Sequence, residues 1–125
     1  MSLKQFGRSV KDAIGGIFYV FRNEPNFRVQ IIIAIIVLLA AFYFPLRNYE
    51  RVTIILLIAL VLILELANSI LERIIDLFQP KIDYVAKIIK DILAGAVLVA
   101  AISSVAVGYI IFMPYISQFL ISNGY

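Results

Sequence analysis

The chain contains no cysteine and no histidine. The first absence excludes a disulfide framework and a thiolate zinc site; the second removes imidazole as base and as metal ligand. Any acid–base or metal chemistry must therefore rest on carboxylates, amides and lysines. Charge is scarce too: of 125 residues, 15% are Asp, Glu, Lys or Arg, while 63% are hydrophobic. A soluble domain carries about 45–50% apolar residues. With a mean hydropathy of +1.02, a water-soluble core is excluded, and the chain reads as a small, single-domain, all-α integral membrane protein. A net charge of +3 and a pI near 9.3 do not point to nucleic acid, because the basic residues flank apolar runs, where they anchor to anionic lipid and set topology. A signal peptide is not expected: the N-terminal apolar residues are periodic rather than continuous, and no small-residue cleavage site follows.

Polar groups inside apolar sequence are then the informative ones. An apolar run from Val52 continues without a helix breaker into Glu65-Leu66-Ala67-Asn68-Ser69-Ile70-Leu71-Glu72-Arg73-Ile74-Ile75-Asp76. A carboxylate at the centre of a membrane helix costs about 2.5–3.5 kcal/mol on insertion scales. Here three carboxylates and an amide follow within three turns. At about 100° per residue, Glu65, Asn68, Glu72 and Asp76 share one face, a polar stripe that packing does not demand. Glu65 lies about 20 Å into the span, about 10 Å short of the far hydrocarbon boundary, with Glu72 near that boundary and Asp76 just beyond it. The stripe thus runs from lipid out to water and reads as an active or ion-binding face.

Residues 3–22 are predicted as an amphipathic helix lying in the membrane interface: Leu3, Phe6, Val10, Ile14, Ile17 and Phe21 recur at helical spacing opposite Lys4, Arg8, Lys11 and Asp12. Gly15-Gly16 within it implies either close approach by a helix or ligand, or a tolerated packing position. Asn23-Glu24-Pro25-Asn26 turns the chain, Pro25 suiting a first helical turn. On spacing alone, Glu24 at this elbow reads as a dipole-complementing carboxylate ahead of a catalytic one. Three membrane-spanning helices follow, over 29–46, 52–78 and 82–113, with Pro80 placed to open the last. Around it, Asp83, Lys87 and Asp91 have the i,i+4 spacing of surface ion pairs. Small residues in the third span, such as Ala94, Gly95 and Ala100, allow close packing. Nine of the eleven basic residues fall at one membrane side (Lys4, Arg8, Lys11, Arg22, Arg28, Arg73, Lys81, Lys87 and Lys90), against Arg47 and Arg51 at the other. The positive-inside rule makes the first side cytoplasmic, so Glu24, Glu72, Asp76, Lys90 and Asp91 converge where ATP is available.

No Walker sequence, protein-kinase signature or HExxH is present. Carboxylates gathered near water suit Mg2+, which takes one or two of them plus waters and phosphates. Phosphoryl transfer needs such a pair, a cation for the phosphates and a base for the incoming hydroxyl. Glu72 with Glu24 can hold metal, Lys90 can meet phosphate, and Glu65 lies deep enough to serve a lipid alcohol.

The pattern Glu65-x-x-Asn68-Ser69-x-x-Glu72-x-x-x-Asp76, with Lys90-Asp91-Ile92-Leu93-Ala94-Gly95-Ala96, resembles the prokaryotic diacylglycerol kinase family of three-span lipid kinases. Ser9-x-Lys11-x-Ala13-x-x-Gly16 and Glu24-x-Asn26-Phe27-Arg28 are similar to its undecaprenol kinase branch. The resemblance covers about residues 6–112. It implies a homotrimer in the bacterial plasma membrane, with active sites shared between subunits, transferring phosphate from ATP to undecaprenol or, alternatively, diacylglycerol. It further implies Glu65 as catalytic base, Glu24 and Glu72 as magnesium–ATP ligands, and Lys90 and Asp91 as nucleotide contacts. Asp76 matches an acidic position at the nucleotide side, and Asn68, Arg8, Lys11, Gly16 and Asn26 are supporting polar-site positions. There are two departures: Ser69-Ile70-Leu71 replaces a smaller Thr-Ala-Ile filling, and Gln30 stands where the undecaprenol branch often has histidine. Neither is expected to touch the chemistry, though both bear on lipid preference. A transporter remains the rival from another class, since intramembrane carboxylates also mark ion paths. Against it, the third span carries no internal charge or proline break. A catalytically inactive homologue is a further rival, opposed by the complete set of site positions.

Overall fold

In the computed structural model of the chain, residues 2–78 and 83–124 are described, Asp83 by its backbone only. The expectations placed on Pro80, on Lys81 and on an Asp83–Lys87 pair lie outside the described residues. Four helices follow in order: α1 (Leu3–Asn23), α2 (Pro25–Tyr43), α3 (Asn48–Phe78) and α4 (Asp83–Ser122). α2, α3 and α4 are each long and apolar enough to cross a membrane.

Helix ends follow local chemistry. Ser2 opens α1 with a capping box, its Oγ accepting from the Gln5 N–H at 3.1 Å while Gln5 Oε1 accepts from the Ser2 N–H at 3.0 Å. Glu24 is extended (φ −119°, ψ 104°) between α1 and α2, and Pro25 takes the first turn of α2. The Arg28 guanidinium reaches back to the Phe21 and Arg22 carbonyls at 3.1 and 2.9 Å, a cation satisfying orphan acceptors at the α1 C-terminus.

The spans differ from their sequence-predicted limits at four ends. α2 occupies Pro25–Tyr43 rather than 29–46: its first turn stays helical although polar, and Pro45 forces Phe44 into an extended conformation (φ −79°, ψ 152°) that ends the helix early. α3 starts at Asn48, not 52, because the Arg47 N–H bonds Glu50 Oε1 at 2.9 Å and nucleates the turn. α4 runs on to Ser122 instead of stopping at Met113, passing through Pro114. Beyond the proline, Tyr115 donates a hydrogen bond to Glu50 of α3, and Phe119 packs edge-on against Tyr43 and Phe44. These tertiary contacts offset the lost backbone bond.

α3 is the central element: α2 and α4 both pack on it, and α1 rests on α2 and α3. The core lies toward the Phe44 end, around Ala41, Leu46, Ile54 and Ile111. There Arg51 closes the α2–α3 turn by donating to the Ala41 and Phe44 carbonyls at 3.0 and 3.2 Å. Ile32, Ile36, Leu56, Leu60, Val99 and Ile102 stand exposed along the outside. In water such a belt would drive aggregation; against acyl chains it is the surface a bilayer solvates.

Candidate active site

The long α3 carries the polar stripe, and exposure along it is graded. Glu65 is buried at 4% exposure, Asn68 and Glu72 are half-buried, and Asp76 is exposed. The unbroken helical repeat brings four groups, separated by at most eleven residues of sequence, onto one line about 16 Å long.

Neighbouring helices complete the site. From α2, Gln30 Nε2 donates to Glu65 Oε2 at 3.4 Å. This corrects the expectation that Gln30 stands clear of the chemistry: one turn beyond Pro25, it sits at the height of Glu65 and faces α3. Ile70, the other departure, is 58% exposed and points away from the buried face. Within α3, Asn68 Nδ2 donates to Glu72 Oε1 at 3.4 Å, an i,i+4 pair.

Glu24, held at the α1–α2 elbow, accepts from Arg73 of α3 at 3.2 Å. The same guanidinium lies 4.9 Å from the Tyr19 ring centroid and donates to the Tyr19 hydroxyl at 3.3 Å. Arg73 thereby ties α1, the elbow and α3 together. Sequence reading missed this role and counted Arg73 only toward topology. The available signal was its place one residue beyond Glu72, but its partner lies 49 residues away, and a helical wheel shows no cross-helix partner.

On α4, Lys90 Nζ reaches Asp76 Oδ1 at 3.5 Å, whereas Asp91 pairs with Lys87 at 2.7 Å. Consecutive helical residues point about 100° apart, so Lys90 and Asp91 face different partners within the subunit. Arg8, Lys11, Gly16 and Asn26 are exposed, and among the described residues none is hydrogen-bonded by its side chain to the Glu65 cluster. A Cβ placed at Gly15 or Gly16 meets nothing within 4 Å. No close approach among the described residues explains the pair.

Among the described residues no three acidic side chains gather tightly enough to cage a metal by themselves. Glu24 and Glu72 each hold one oxygen against a protein donor, Arg73 and Asn68 respectively. The second oxygen of each has no protein donor among the described residues. That donor set fits magnesium, which takes one or two carboxylates and fills its remaining positions with water and phosphate.

Residues 11–112 match the family described as prokaryotic diacylglycerol kinase. The chain is 38% identical over 112 residues to the undecaprenol kinase of Bacillus subtilis (strain 168), covering 90% of this chain and 91% of that protein. It is also 38% identical over 107 residues to the diacylglycerol kinase of Synechocystis sp. (strain PCC 6803), covering 85% of this chain and 61% of that longer protein.

Proposed function

The chain belongs to the prokaryotic diacylglycerol kinase family and is a lipid kinase of the membrane, and from that premise we propose that it transfers the γ-phosphoryl group of ATP to undecaprenol. One arrangement carries the reading. A carboxylate buried in an apolar helix, Glu65, is continuous with two carboxylates suited to a magnesium–nucleotide complex, Glu72 and Glu24, at the polar end of the same face. A lipid alcohol and a soluble nucleotide can each reach their own part of that line. Undecaprenol is favoured over diacylglycerol because the similarity to the undecaprenol kinase runs through 91% of that protein, and through 61% of the diacylglycerol kinase.

Glu65 accepts the proton of the lipid hydroxyl as that oxygen attacks the γ-phosphorus. The new bond is lipid oxygen to phosphorus; the bond from the γ-phosphorus to the β,γ-bridging oxygen breaks, and ADP leaves with that electron pair. Gln30 orients the Glu65 carboxylate, Asn68 orients Glu72, and Arg73 fixes Glu24. Glu24 and Glu72 hold magnesium, which supplies positive charge against the phosphate oxygens. Lys90 contributes a further cation to the nucleotide, with Asp76 and Asp91 beside it, and Arg8, Lys11, Gly16 and Asn26 of the N-terminal region flank the nucleotide side. The working form is a homotrimer with shared sites in the bacterial plasma membrane. α1 lies in the interface, and the N-terminus and Glu24 are cytoplasmic by the distribution of basic residues.

The test is a transfer assay. Reconstituted protein receives ATP labelled in the γ-phosphate, magnesium, and undecaprenol and diacylglycerol in parallel. Label moving preferentially into undecaprenyl phosphate is the expected result. Preference for diacylglycerol keeps the mechanism and overturns the acceptor. No label in either lipid, in folded protein, overturns the proposed reaction.

A further inference from the structure

The Arg73 guanidinium has donors that its known partners do not use. Arginine presents five N–H groups in a planar fork. Nε donates to the Tyr19 hydroxyl at 3.3 Å, and Nη1 is shared between Glu24 Oε1 at 3.2 Å and the Ser69 carbonyl at 3.5 Å. Nη2 meets no acceptor among the described residues, and the side chain stays partly open to solvent. The Ser69 contact also fixes the height of the charge. Helical side chains lean toward the N-terminus, and this one folds back a full turn to the Ser69 carbonyl. Ser69 stands one turn from Glu65, about 6 Å along the axis of α3. Lys90, by contrast, lies against Asp76 at 3.5 Å, about 16 Å from Glu65 along the same axis. Two cations therefore stand at two heights on the stripe, Arg73 near its buried end and Lys90 near its wet end.

We propose that Arg73 binds the γ-phosphate of the nucleotide through Nη2 while Nη1 stays on Glu24, and that it guards Glu24 against metal until the nucleotide arrives. The inference rests on the kinase reading above and adds a substrate-binding residue and a coupling between two ligands. Charge balance supports it. The polar end of the stripe sets Glu24, Glu72 and Asp76 against Arg73 and Lys90, because Lys87 and Asp91 pair with each other. A polyanion entering so acidic a site needs both cations. Height divides their work: the γ-phosphorus must approach the oxygen that Glu65 deprotonates, and Arg73 is the cation at that level. Lys90 is left to the phosphates farther out. A guanidinium fork can hold a carboxylate and a phosphate at once, which a lysine point charge does not reproduce. Without nucleotide, the same positive charge lies against Glu24 and opposes a divalent cation there. With nucleotide, phosphate charge offsets the guanidinium and the opposition ends. Arg73 therefore makes metal and nucleotide each raise the affinity for the other.

The test compares binding in reconstituted wild type, Arg73→Met and Arg73→Lys, without acceptor lipid and without turnover. Mn2+ alone, an ion of the same oxygen-ligand class as magnesium, is titrated by the paramagnetic resonance signal of the free ion. The β,γ-imido analogue of ATP and ADP are titrated separately, each with magnesium. Arg73→Met should bind Mn2+ alone about fivefold more tightly, the upper worth of a partly exposed ion pair that no longer competes. It should bind the ATP analogue at least about tenfold more weakly, as loss of a hydrogen bond between charged groups implies. ADP, which lacks the γ-phosphate, should weaken by about twofold or less. The opposite signs for metal and nucleotide are what a purely structural role would not produce: if Arg73 only holds Glu24 in place, all three ligands weaken together, and that result overturns the proposal. Equal loss for the ATP analogue and ADP overturns the γ-phosphate contact. Arg73→Lys, which keeps the charge, should return Mn2+ binding to the wild-type value and recover part of the analogue affinity; binding of both ligands like that of Arg73→Met overturns the role of the charge. Wild type that binds no ATP analogue overturns the kinase reading together with this inference. Wild type that binds it, beside an Arg73→Met that shifts no ligand, overturns this inference alone.

Discussion

Arg73→Met is the most direct probe of how the site is assembled. α1 has a single buried residue, Val20, so burial does little to hold it down. Its tie to α3 is Arg73, which meets Glu24 at 3.2 Å and the Tyr19 hydroxyl at 3.3 Å. The ion pair is partly exposed, 39% on Arg73 and 20% on Glu24, so solvent screening limits it to about 0.2–1 kcal/mol. The cation over the Tyr19 ring adds about 0.5–1 kcal/mol. Methionine keeps most of the aliphatic bulk and removes both terms, a loss of about 1–2 kcal/mol. That is a factor of about 5–30 in the population of α1 released from α3. Amide hydrogen exchange in reconstituted protein reads it directly: residues 19–23 should exchange faster by that factor while α4 is unchanged. Because Glu24 loses its anchor at the same time, the KM for ATP should rise while the KM for the lipid alcohol holds. Unchanged exchange at 19–23 would refute the latch, and uniform acceleration across α2 and α3 would show general destabilisation instead.

Other perturbations separate the roles along the stripe. Glu65→Gln should lower turnover by about 10²–10⁴, the contribution of a general base, with ATP binding, measured by equilibrium titration, nearly intact; collapse of ATP affinity would reassign Glu65. Gln30→Ala removes a long hydrogen bond to Glu65 worth about 1 kcal/mol, so kcat should fall about fivefold with the KM for ATP unchanged. Gln30→His, which keeps a donor, should restore most of it. Chelation of magnesium with excess EDTA should abolish transfer, and added magnesium should restore it; transfer that persists under chelation would remove the metal role given to Glu24 and Glu72. Tyr115→Phe deletes the hydroxyl bonded to Glu50 at the far end from Glu65. It should lower the Tm of the reconstituted protein and leave kcat/KM unaltered, whereas a large loss of activity would show that the two ends are coupled.

What one sequence specifies unaided is whatever a single helix can display. Composition placed the chain in a membrane, and 3.6-residue periodicity put Glu65, Asn68, Glu72 and Asp76 on one face with graded exposure, because these are properties of one continuous helix and its solvent. The turn at Glu24-Pro25 was legible for the same reason, since proline acts on its immediate neighbour. Gln30 was misjudged and Arg73 was overlooked because their partners, Glu65 and Glu24, lie 35 and 49 residues away. Whether two such groups meet depends on how helices rotate and stack on α3, which periodicity within each helix does not encode. The length of α4 was missed in the same way: proline at 114 argues locally for a stop, and contacts to Glu50, Tyr43 and Phe44 carry the helix past it. The apolar cavity lined by Ile33, Leu62 and Val105 belongs wholly to tertiary structure, because α2, α3 and α4 each supply only one wall of it.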